Sequence, residues 1–125
     1  MNKTDISKIS KELSFKHTTG DDWGIINDDA NRVKEFIQYY NDNKANFDLG
    51  IDINFIELVI SSMNEAILEK KDDNEMHFLF KEFIYPFLSK EHFLYYDSIY
   101  YWVAIVNKEE FPVGYLVKQI IEPNV

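Results

Sequence analysis

The chain contains no cysteine. Disulfide frameworks, thiolate metal centres and cysteine nucleophiles are therefore excluded. Glycine is scarce too: four residues in 125 are too few and too scattered to build a phosphate-cradling loop. No GxSxG or HExxH signature occurs. The start, Met1-Asn-Lys-Thr-Asp, has no apolar signal core, and no apolar run approaches the length of a membrane span. These absences lead to the expectation of a soluble, cytoplasmic protein, and the abundance of Asn, Lys, Ile, Asp and Tyr to that of a bacterial source. The same absences discount the sequon at Asn2-Lys3-Thr4.

Aromatic residues are what the chain has in quantity: ten Phe, eight Tyr and two Trp. Large rings bury much area per residue, so a compact core is feasible at this length. One domain is expected. The aromatic run Phe93 to Trp102 is read as core rather than as a ligand cage.

Negative charge is concentrated. From Asp21 to Glu75 fourteen Asp and Glu face five Lys and Arg, a balance of −9 that equals the net charge of the whole chain. The segment before it is slightly basic and the one after it slightly acidic. Such a localised field repels nucleic acid and membrane surfaces and steers basic partners inward.

Residues 1–22 are polar and poorly periodic and read as a loose arm, with at most one turn of helix around Ile9 and Leu13. Residues 23–125 read as a single helical domain. A helix is expected over 28–43, where Val33, Phe36, Ile37 and Tyr40 recur at the spacing of one buried stripe and Asp28 and Asp29 suit the positive N-terminal end. A second is expected over 54–70, with Asn54 and Glu57 as a capping box and Ile56, Val59, Ile60, Met63 and Ile67 inward. A third, over 75–88, is apolar on most sides, and Pro86 should kink it or end it at Tyr85. Residues 89–107 fit either a helix after Asp97 or a strand, and helix is preferred because no partner strand is evident. A last helix is expected from Pro112. The fold class that follows is all-α, a bundle or stack of about five helices, as a monomer or weak dimer.

Candidate chemistry is sparse. His17, His77 and His92 share no ligand spacing, and no Glu-x-x-His pair occurs. Leu49 precedes Gly50 where a calcium loop wants Asp or Asn. Neither a metal nor a cofactor is expected. Glu91, His92 and Asp97 form the least specific of acid–base clusters. The many adjacent carboxylate pairs diverge on a helix and read individually as caps or solvated charges.

Their crowding is what matters. At about 100° per residue, Asp28, Arg32, Glu35, Tyr39 and Asp42 share the side of the first helix opposite its apolar stripe. Tyr39 then stands among carboxylates, the composition of a hot spot for a basic partner. The competing reading packs Tyr39 under the N-terminal arm. The expected partner-binding set is Asp21, Asp22, Asp28, Asp29, Glu35, Tyr39 and Asp42.

The segment Trp23-Gly-Ile-Ile, the run Arg32-Val-Lys-Glu-Phe-Ile-Gln-Tyr-Tyr40 and the run Glu57-Leu-Val-Ile-Ser-Ser-Met-Asn-Glu-Ala66, with Tyr101-Trp102 and Glu110-Phe-Pro112 behind them, give the chain its style. It resembles the helical immunity proteins of bacterial polymorphic-toxin and contact-dependent inhibition systems. The resemblance implies a non-enzymatic inhibitor that binds a cognate toxin, often a basic nuclease, and blocks its active site or substrate groove. It carries over no functional residue. The alternative is a non-catalytic helical adaptor or regulatory subunit, with a small enzyme built on Glu91, His92 and Asp97 third.

Overall fold

The computed structural model of the protein describes residues 3–18, 23–69 and 73–87. The expectations for Asp21 and Asp22, for residues 89–107 and for the helix from Pro112 lie outside the described residues, as do Glu91, His92 and Asp97. Within them the fold is all-α, with no strand.

The first element corrects the expectation of a loose arm. Lys3–Glu12 is a helix, α1, and Ile6, Ile9 and Leu13 on it and just past it are all buried. Their spacing of three and four residues is the helical stripe itself. Its end is a Schellman turn: Phe15 N–H donates to the Ser10 carbonyl and Ser14 N–H to that of Lys11. The residue that must turn left-handed there, at φ 61°, is Ser14 rather than glycine. Three further bonds tie this segment down. Trp23 Nε1 donates to Ser10 Oγ at 2.7 Å, Asn27 Nδ2 to the His17 carbonyl at 2.9 Å, and Arg32 to the Leu13 carbonyl at 2.8 Å.

The helix expected over 28–43 begins five residues late: after a separate single turn, α2, at Trp23–Ile26, the helix α3 spans Val33–Asn43. Asp28 and Asp29 therefore sit in the connecting turn and not on the helix. Asp29 spends its carboxylate on the Asn31 N–H, an Asx turn that competes with helix at that point. Helix α2 lies directly on the backbone of the next long helix, α4. A Cβ on Gly24 would stand 2.8 Å from the Leu58 nitrogen and 3.1 Å from the Asn54 carbonyl oxygen. Only glycine permits that approach.

Helix α4, Leu49–Leu68, supplies much of the core of the described residues. It begins five residues before the expected start. Its cap is Asp48, whose side chain accepts from Ile51 N–H at 2.9 Å, while Asn54 lies inside the helix with its Nδ2 on the Gly50 carbonyl. The expected stripe is inward: Ile56, Val59, Ile60 and Met63 are buried and Ile67 is partly so. Phe55, fully buried, gathers the rings of Trp23, Tyr39, Tyr40 and Phe47 at centroid distances of 5.8 to 6.3 Å.

Asp73–Leu79 forms α5 and runs into a wide π turn, Phe80–Ile84, where Tyr85 N–H reaches back to the Phe80 carbonyl. The helical path continues through Phe87 instead of stopping at Tyr85. Pro86 explains the widening: it has no N–H, and its ring needs room from the carbonyl one turn back. The turn delivers Phe83 and Phe87 to the ring of Tyr40, each at 5.4 Å.

Candidate functional site

The carboxylates fall into two groups, an inner one at the α2–α3 connection and an outer one along α3. The inner group meets α4. Ser61, buried, donates its hydroxyl to Asp28, and Asp29 N–H donates to the buried Ser62 Oγ at 3.0 Å. Burial pushes the Asp28 carboxyl above its ordinary value; the Ser61 bond opposes that, and the Asp29 charge adds to it. Glu65, one turn along α4 from Ser61, is also raised, by burial first and then by Asp28 and Glu69. A serine bonded to a carboxylate with no histidine between them, and itself buried, is a structural tie rather than an activated nucleophile.

The outer group lies along α3. Glu35, Gln38 and Asp42, at intervals of three and four residues, form one solvent-facing line. Arg32 grips both Glu35 oxygens, at 2.8 and 2.6 Å, and holds that carboxyl below its ordinary value. The same guanidinium lies 5.0 Å from the ring of Phe36 and 5.4 Å from that of Phe15. Gln38 Nε2 donates to Asp42 Oδ1 at 2.9 Å. Both carboxylates remain exposed.

Tyr39 is not the outward anchor that the helical wheel places there. Its ring is stacked on Phe55, 5.8 Å away and inclined by 13°, and is only partly exposed. Its hydroxyl donates in a very short bond to Glu12 of α1. Burial and that carboxylate push the hydroxyl's pKa up. The wheel assumes a single packed side; α1 gives α3 a second one. Asp28 leaves the expected stripe for the same kind of reason, since the helix begins after it.

Beside Tyr39 the surface opens into a shallow cleft of about 100 Å³. Helix α1 supplies Lys8, Ile9 and Glu12 to it, α3 supplies Asn43 beside Tyr39, and Asn46, Phe47 and Ile51 close the far side. Sequence reasoning missed Glu12 and Phe47 altogether, and read Asn46 only as a turn former. The signal that could have found Glu12 is the Ile6, Ile9, Leu13 stripe, which commits α1 to packing and so brings its adjoining side against α3.

Among the described residues no group of three ligating side chains could hold a metal ion, and no helix is long and apolar enough to cross a membrane. Asp28 turns its carboxylate inward to α4, Asp29 meets α4 through its backbone N–H while its carboxylate holds the Asn31 N–H, Glu35 and Asp42 face solvent, and Tyr39 bridges α3 to α1. No protein-family model, curated protein or solved structure matches this chain.

Proposed function

We propose that this chain is a non-catalytic binding protein that captures a basic protein through its acidic face, and that the partner is a toxin which it neutralises as an immunity protein. The observation that carries the reading is the excess of carboxylates in residues 21–75: five cations cannot neutralise fourteen anions, however the side chains pair. Glu35 and Asp42 present part of that excess to solvent on a helix whose other sides are packed, so they are displayed on a rigid support. Arg32 offsets one of these charges. A toxin that grips the phosphate backbone of a nucleic acid would meet here a surface of the same sign, and its substrate groove would be filled. The resemblance to helical immunity proteins agrees with this class of partner.

The adaptor reading draws on exposed apolar side chains, Ile26 at 53% and Phe78 at 60% exposure. Salt separates the two readings. Capture steered by charge slows steeply as ionic strength rises, whereas an apolar interface does not.

The test is co-expression with a basic toxin domain encoded beside this chain's own gene. Survival is expected with the wild-type chain and loss of protection with Glu35→Lys and Asp42→Lys together, with stopped-flow association slowed while the fold is unchanged. Absence of protection by the wild-type chain overturns the toxin reading. Full protection by the double reversal moves the interface off α3.

A further inference from the structure

The cleft beside Tyr39 has a chemistry of its own. Its wall and floor are fixed. Tyr39 is stacked on Phe55, and Phe47 packs against Tyr39, Tyr40 and Phe55 at 5.7 to 6.4 Å. A fixed floor reduces the ordering cost of filling a cleft. Two of the polar groups above it are anchored from within the chain: the Tyr39 hydroxyl hydrogen goes to Glu12 Oε1, and Asn43 Nδ2 goes to the Tyr39 carbonyl at 2.9 Å. These bonds leave the second oxygen of the exposed Glu12 carboxylate and the Asn43 amide oxygen as acceptors toward a guest, beside the amide of Asn46. A cationic guest with several donors suits that carboxylate, and the guanidinium group has five N–H donors and no acceptor.

The chain already uses this recipe on itself. Arg32 lies over two aromatic rings, against a carboxylate and a backbone carbonyl. We propose that the cleft between Glu12, Tyr39, Asn43 and Phe47 is the seat for one arginine side chain of the basic partner, an inference that rests on the reading of the chain as a binder of such a protein. The guanidinium plane lies against the aromatic side of the cleft, and its edge donates to Glu12 and Asn43. Lys8, exposed on the rim one turn before Glu12, has the same sign as the guest and opposes it. The seat is therefore one the partner must fill with a well-placed fork of donors, and a lysine ammonium on the partner fits it less well.

The experiment needs no partner. The 15N-labelled full chain is titrated with N-acetyl-arginine amide, N-acetyl-lysine amide and, as the neutral isostere, N-acetyl-citrulline amide. Saturable shifts are expected for the arginine probe at Glu12, Tyr39, Asn43 and Phe47, with a Kd on the order of millimolar, and weaker ones for lysine. Glu12→Gln should weaken the arginine probe about tenfold, the loss of one charge-assisted bond. Tyr39→Phe, which keeps the ring but removes the bond that orients Glu12, should weaken it by a smaller factor. Lys8→Ala should tighten it about twofold by removing a surface charge of like sign. Equal binding of the citrulline probe, an unchanged Kd in Glu12→Gln, or no saturable shift at these residues overturns the assignment. The two readings fail separately. Arginine binding at the cleft without protection from a toxin leaves the seat and removes the immunity role; protection without arginine binding does the reverse.

Discussion

Asp28 and Glu35 are the same kind of group, seven residues apart, and they do opposite things. Asp28 is drawn in over α4, where the Ser61 hydroxyl steadies it and the surrounding protein penalises its charge. Glu35 stands in solvent with Arg32 around it, and its charge is favoured. The difference lies in the six residues between the end of α2 and the start of α3. Gly24 lets α2 sink onto α4 and carries the following turn inward; once α3 begins at Val33, every third or fourth residue faces out again. Carboxylates counted together in a sequence thus divide into ones that hold the fold and ones that a partner can meet.

The largest test breaks both groups at once. Phe55 touches Trp23 on the side of the inner group and Tyr39 and Tyr40 on the side of the outer one. Phe55→Ala should cost about 3–5 kcal/mol in urea unfolding, by loss of a fully buried ring and the cavity left behind. A cost near that of a surface substitution would mean that Phe55 is not the shared floor. Gly24→Ala addresses the inner group alone. It should cost about 1–3 kcal/mol, because the new methyl meets backbone rather than a movable side chain, and it should disturb the amide signals of Asp28 and Asp29 before those of Glu35. A neutral result would show that α2 can lift off α4 freely.

Acid gives a smaller effect with a sharper sign. A carboxyl whose pKa is raised by folding contributes stability that is present below its unfolded value, 3.8 for Asp28, and lost as pH rises through the raised one. For Glu35, lowered from 4.5, the contribution is present above that value and lost as pH falls through the lowered one. Asp28→Asn should therefore raise the melting temperature relative to wild type at neutral pH, with the gain shrinking in acid. Glu35→Gln should lower it slightly at neutral pH, with the loss closing in acid. Differences of the same sign for both variants would remove the distinction drawn between the two groups. The smallest effect is expected from Asp42→Asn, within about 0.5 kcal/mol of wild type as an exposed substitution. A larger loss would show that its bond from Gln38 supports α3.

The inward stripes of α3 and α4 were legible in the sequence because a 3.6-residue period survives without knowledge of the neighbours. Phe36, Tyr40, Ile56 and Met63 are buried as their spacing requires. Helix α1 was obscured by its short apolar stripe and by an ending that places serine where glycine is the usual sign. The side of α3 bearing Tyr39 stayed open between two readings, outward anchor and packing under the N-terminal arm, because the choice depends on Glu12, twenty-seven residues away. The acidic surface was visible as an excess of charge, but which carboxylates remain on it is decided by long-range contacts such as Ser61 with Asp28. The cleft, assembled from three helices and the 3₁₀ turn Lys44–Asn46, left no local trace.

The wide turn at Phe80–Ile84 has a consequence for how this chain tolerates insertion and deletion. A π turn holds one more residue than the α turn it replaces, so it offsets the angular phase of the helix behind it by about 100° relative to the helix in front. Removing a single residue between Phe80 and Ile84 would restore an ordinary turn and leave most local hydrogen bonds intact. It would also rotate Phe87 away from Tyr40. The segment is therefore a vernier: silent in local backbone geometry, yet it sets the alignment of Phe87 against α3, and length variation should be far rarer there than in the turn that precedes α4.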